Sequence, residues 1–158
     1  MTSLRRFLTA ASILAAIVRG QSLRVEPSAT DRKSPGVLSL ILEAPPGKAP
    51  VAMQWEIAVP PAIAVATGDI SVGKAAETAQ KSLNCATKGG TTGGVRYACI
   101  LAGGQDPIPA GPVATVRYRA QADVHGAPIR VVIENILGVS ADLKRIEISN
   151  AIAIIRIQ

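Results

Sequence analysis

Past Gly20, apolar and polar residues alternate along this chain, and proline or glycine breaks the alternation at short intervals. A period of two puts one side chain into a core and the next into water, which a helix cannot do. Val51, Met53, Trp55, Ile57 and Val59 alternate with Ala52, Gln54, Glu56 and Ala58. Ala114, Val116, Tyr118 and Ala120 alternate with Thr115, Arg117, Arg119 and Gln121. Shorter runs repeat the pattern at Leu23 and Val25, at Ile129, Val131 and Ile133, and at Ile146 and Ile148. Around Leu38, Leu40 and Leu42 both parities are apolar, which reads as a strand buried on both faces. The breaks are APPGKAP, VPPA, TGD, GGTTGG, AGGQDPIPAG and HGAP. Strands this closely spaced with turns of this kind predict an all-β sandwich or barrel. Lys74 to Leu83 has helix formers but no wide apolar stripe, so a turn or two of helix is expected there. The tail AIAIIRIQ reads as a closing strand that must sit inside a sheet, since such an edge left bare would aggregate.

Residues 1–20 depart from this pattern. Arg5-Arg6 precede the apolar run Phe7 to Val18, which is too short to span a bilayer. Val18-Arg19-Gly20 offers a small residue for cleavage, so residues 1–20 are expected to be a secretory signal and residues 21–158 the working domain. The mature form would carry no transmembrane segment. Removing 20 residues from 158 leaves 138, enough for one domain with a substantial core. Arg5, Arg6 and Arg19 fall in the first 20 residues with no acid. The remaining 14 cations therefore face 11 acids, a balance of +3. Those cations are mostly scattered and the aromatics are few, which excludes a nucleic-acid surface.

Cys85 and Cys99 flank the glycine-rich KGGTTGG. Folding the two arms about Thr92 brings the cysteines level, and in an oxidising compartment a cross-strand disulfide follows. Neither a Cys-x-x-Cys spacing nor nearby histidines point to a redox or metal pair instead.

The chemistry of an active site is missing from the sequence. His125, the single histidine, sits in the turn Asp123-Val124-His125-Gly126. The acids are spread along the chain, and neither the facing carboxylates of a glycosidase nor a calcium loop can be read from them. The glycines occupy hairpin turns rather than a strand–loop–helix phosphate cradle. No cofactor or metal is expected. Of the aromatics beyond Gly20, Trp55 and Tyr118 share the apolar parity of their strands and read as core rather than as sugar-stacking platforms.

The order of segments resembles the cohesin modules of cellulosome scaffoldins and their bacterial relatives. The likeness begins at VAMQWEIAVPPAIAVATGDISVG, where an alternating strand leads through a proline turn to a short apolar segment and a Gly-Asp-Ile element. It continues at VRYACILAGGQDPIPAGPVATVRYRA, where Ile108-Pro109-Ala110-Gly111 matches an Ile-x-x-Gly turn entering a long strand. It ends at PIRVVIENILGVSADLKRIEISNAIAIIRI, similar to the family's last three strands, so about residues 22–157 are covered. The resemblance implies a roughly nine-stranded antiparallel β-sandwich with jelly-roll topology and a non-catalytic role. Cohesins grip the dockerin module of a partner, often a polysaccharide-degrading enzyme, and an Asn-x-Asp on an early strand makes central hydrogen bonds. The matching positions here are Ala52-Met53-Gln54, so Ala52 stands at the Asn place and Gln54 at the Asp place.

The function expected is a secreted, disulfide-stapled module that binds a protein partner, dockerin-like in kind, or a polysaccharide-associated surface. A direct carbohydrate-binding module, and a structural sandwich of a surface or secretion apparatus that pairs by strand addition, are the alternatives. Parity suggests that Gln54, Glu56, Ile100, Thr115, Arg117 and Arg119 point outward together on one sheet as the partner-binding face.

Overall fold

The computed structural model describes residues 20–28, 33–90, 93–122, 124 and 126–157. Arg5-Arg6, the apolar run to Val18, Thr92, Asp123 and His125 lie outside the described residues. Two antiparallel sheets face each other. The first takes β1 (Ser22–Pro27), β2 (Gly36–Glu43), β8 (Gly111–Ala120) and β4 (Ile63–Ala64) in that spatial order, with β5 (Ile70–Val72) also on β8. The second runs β10 (Arg145–Glu147), β9 (Ile129–Val139), β3 (Ala52–Val59), β7 (Val95–Ala102) and β6 (Ser82–Thr87), with β11 (Ala151–Ile155) also on β9. Roughly nine strands were expected and eleven occur among the described residues; three of them, β4, β5 and β10, are fragments of two or three residues. The one α-helix among the described residues, α1 (Lys74–Thr78), is a single short turn as its lack of an apolar stripe implies.

The inward parity of each strand builds the core. Leu38, Leu40 and Leu42 of β2 meet Trp55 and Ile57 of β3 across the sandwich interior, with Leu101, Val116, Tyr118 and Ile133, and all of these are buried. The other parity of β2 is only half-buried at Val37, Ser39 and Ile41, so this strand is not covered on both faces. Its neighbours β1 and β8 flank it within the sheet. Ile108 of the Ile-Pro-Ala-Gly turn is fully buried and pins the loop that carries the chain from β7 in one sheet to β8 in the other. The tail strand β11 pairs with β9 from Ala151 opposite Ile133 to Ile155 opposite Ile129.

Cys85 of β6 lies directly opposite Cys99 of β7, and the two are bonded. Their Cα atoms are 4.1 Å apart, closer than the ~4.4 Å lower end of the usual disulfide range. Cys99 is buried on the core side, opposite Trp55 of β3. The bond therefore fastens β6, which pairs with β7 alone, to the body of its sheet.

Candidate functional site

The outer face of the second sheet is a grid that the register fixes. Gln54 of β3 lies between Ile100 of β7 and Leu137 of β9, and Asn84 of β6 continues that row. In the next row Glu56 lies between Ala98 and Glu134. Beyond it Ala58 lies between Arg96 and Val132, and Val132 faces Ile152 of β11.

Two carboxylates placed side by side repel, and Arg96 of β7 and Lys88, just past the end of β6, answer that. Arg96 pairs with Glu134 and reaches Glu56 at 3.4 Å, while Lys88 Nζ donates to Glu56 Oε1 at 2.5 Å. The Glu56 side chain is only 13 % exposed. The hydrogen bond from Lys88 holds its carboxyl below the ordinary value of 4.5; burial opposes this, and the Lys88 charge, Asn135 and Arg96 reinforce it. These four charges satisfy one another and form a bar across the middle of the face.

One side of the bar is apolar. Ile100 is 55 % exposed and Leu143, in the loop after β9, is 83 % exposed. With Ala52, Gln54, Leu137 and Val139 they line a shallow, mostly apolar depression of about 400 Å³, and Arg145 sits at its margin as the one charged residue of its lining. Together these side chains form a contiguous, mostly apolar group around the concavity.

The six residues expected to share a face do not. Gln54, Glu56 and Ile100 lie on the outer side of the second sheet, but Thr115, Arg117 and Arg119 lie on β8 in the first. Parity tells which residues of one strand point together. It does not tell which sheet the strand joins, and the loop over Ile108 moves the chain between sheets just before β8. On that opposite face Thr115 shares a 2.7 Å hydroxyl hydrogen bond with Ser71 of β5, and Arg117 and Arg119 stand exposed beside Val37 and Ala64.

Leu137, Val139 and Leu143 were missed by sequence reasoning. Asn135 takes a positive φ of 52° and shifts the register of β9 on β3, so Ile136 turns inward and Leu137 outward. Asparagine tolerates that conformation better than most residues. The adjacent apolar pair Ile136-Leu137 breaks the alternation and was the available signal. For Leu143 it was a lone leucine in the polar turn SADLK.

Trp55, Tyr97 and Tyr118 are all buried. Tyr97 donates to the Val65 carbonyl, and burial, aided by the Asp69 charge, pushes its hydroxyl pKa up. Among the described residues no three His, Cys, Asp or Glu side chains gather, and no helix is long and apolar enough to cross a membrane.

Solved structures share this arrangement of strands. The sixth cohesin of scaffoldin B from Acetivibrio cellulolyticus, solved in complex with a mutant Cel5 dockerin, superposes with a TM-score of 0.70 over 89% of this chain and 100% of that one, at 10% identity. The fold is cohesin-like. A non-cellulosomal cohesin from the archaeon Archaeoglobus fulgidus matches with a TM-score of 0.66 over 86% of this chain and 91% of its own, at 11% identity. The cohesin module of a Clostridium perfringens family 33 glycoside hydrolase matches at 0.64 over 88% and 96%, at 13% identity. At such identities the likeness to cohesins is one of fold. No protein-family model and no curated protein matches the sequence.

Proposed function

We propose that this chain is an exported, non-catalytic docking module that binds a protein partner through the outer face of its second sheet. The observation that carries the reading is the apolar depression around Ile100, Leu137 and Leu143, on the face built by β3. The cohesin-like fold supports it, because a module of that fold from Acetivibrio cellulolyticus was solved with a dockerin on it. Ala52 and Gln54 alter the expected chemistry. A partner that relied on an asparagine and an aspartate at these positions would meet a methyl group and a neutral amide. The partner suited to this face is therefore dockerin-like in its manner of docking but more apolar at its centre. Export rests on the Arg5-Arg6 signal pattern and agrees with the Cys85–Cys99 bond. A sugar ligand suits this surface poorly, since no aromatic ring among the described residues is exposed for stacking.

The test is quantitative affinity capture from the cell's own secreted proteins. Ile100→Glu with Leu143→Glu should lower the recovery of a specific partner at least tenfold, while Arg117→Ala with Arg119→Ala on the opposite sheet should leave it unchanged. Equal recovery by the Ile100/Leu143 variant, with its thermal melt intact, would exclude this face as the docking surface.

A further inference from the structure

The charged bar divides the outer face, and the half beyond it has a different character. Ile152 and Ile154 of β11 are 47 % and 45 % exposed, and Val95 at the start of β7 is 38 % exposed. The register sets Ile152 beside Val132 and Ile154 beside Arg130, so the two isoleucines and their neighbours share one side of the sheet. Next to them a depression of about 250 Å³ is lined by Pro60, Pro61, Val95, Arg96, Arg130 and Val132. Arg130 and Arg156 are exposed at this end, and neither has an ion-pair partner among the described residues. Every carboxylate in the neighbouring bar is already engaged by Lys88 or Arg96.

We propose that this end of the sheet is a second docking subsite, separate from the Ile100 depression, that takes an acidic peptide segment carrying apolar side chains. Apolar side chains of the segment would cover Ile152 and Ile154 and fill the depression by Pro61 and Val95. Its carboxylates would meet Arg130 and Arg156, whose planar forks suit bidentate contact. Shape decides between a peptide and an anionic bilayer. A bilayer lying flat on this face would leave the concavity by Pro61 and Val95 unfilled. A peptide can follow the β9–β11 edge and avoid the bar.

The probe is a displayed library of random peptides, selected on the folded chain and rescreened on three variants. Supporting peptides are rich in Asp or Glu beside apolar residues. They bind at least tenfold more weakly to Ile152→Ser with Ile154→Ser and to Arg130→Glu with Arg156→Glu, and they bind Ile100→Glu with Leu143→Glu unchanged. All six substituted positions are exposed, and a thermal melt of each variant checks its fold. Peptides without acidic bias, peptides insensitive to the Ile152/Ile154 and Arg130/Arg156 changes, or no peptides at all would overturn the subsite. So would stronger retention of the chain by phosphatidylglycerol vesicles, lost on Arg130→Glu with Arg156→Glu, since that outcome assigns the patch to a membrane. Peptides sensitive only to Ile100 and Leu143 report on the first depression and leave this one refuted, so the two readings fail independently.

Discussion

Breaking the Cys85–Cys99 bond should lower the melting temperature by about 10 °C. The bond closes a loop whose ends are 14 positions apart. In the chain-entropy treatment a 15-residue loop frees about 3 kcal/mol of unfolded-state entropy when it is opened. Unfolding entropy near the midpoint is about 2.1 cal/mol/K per residue, or about 0.3 kcal/mol/K for a domain of ~138 residues. Dividing the first figure by the second gives the shift. The structure adds a local expectation. Strand β6 pairs only with β7, so its amides should lose hydrogen-exchange protection before those of β3 or β9. The assay compares oxidised protein with protein reduced by a phosphine, with thiols counted to confirm reduction. Cys85→Ala with Cys99→Ala should melt lower still, because Cys99 is buried and its sulfur leaves a gap beside Trp55. A fully reduced protein that melts within about 2 °C of the oxidised form would refute the reasoning, since loop closure would then contribute almost nothing.

Gly36 stands opposite the buried Tyr118, and a Cβ there would run into the ring, so Gly36→Ala should cost about 1–3 kcal/mol in a denaturant titration. Glu56 has a carboxyl held below its ordinary 4.5, so the folded state binds that proton less readily than the unfolded one. Its contribution is full above that value and is lost as pH falls through the folded-state one, so Glu56→Gln should flatten the decline of melting temperature in acid; an unchanged slope would count against the network. Export predicts that protein recovered outside the cytoplasm begins at Gln21, and N-terminal sequencing that finds Met1 there would rule out cleavage after Gly20.

The sandwich was legible because nearly every strand keeps strict parity, and parity alone decides which side chains enter the core. Trp55, Ile57, Val116 and Tyr118 were assigned to the interior on that basis, and all are buried. The Cys85–Cys99 pairing was legible because its turn is local: equal arms about one glycine-rich tip leave a single register. The proposed docking face was not legible, for two physical reasons. Sheet membership is a long-range property. β8 follows β7 in sequence yet pairs with β2, and no local pattern in Thr115, Arg117 and Arg119 records that. The second reason is the bulge. One asparagine in the left-handed region reverses the parity of everything after it on β9, which changes Leu137 from a core residue into a surface one.

The same bulge explains why this face is divided. Before Asn135, β9 sends Arg130, Val132 and Glu134 outward; after it, Leu137 and Val139. Without the extra residue the outward series would have been Ile136 and Gly138. Gly138 instead faces inward against Pro50 and Ile146, and Leu137 and Val139 form a wall on the outer side. The wall needs Leu143 as its far side, and Leu143 stands outward in a turn that takes its own positive φ of 60°, tied by the Ser140 amide and hydroxyl contacts to Lys144. Two residues in a conformation that few side chains favour therefore frame one depression. Strain kept at such positions is found where a surface must hold a particular shape. On the other half of the face the strands run regularly, and Arg130 and Arg156 give the patch its charge. A partner that met both halves would have to be apolar at one end and acidic at the other, and would have to bridge the Glu56–Arg96–Glu134 bar without adding charge to it.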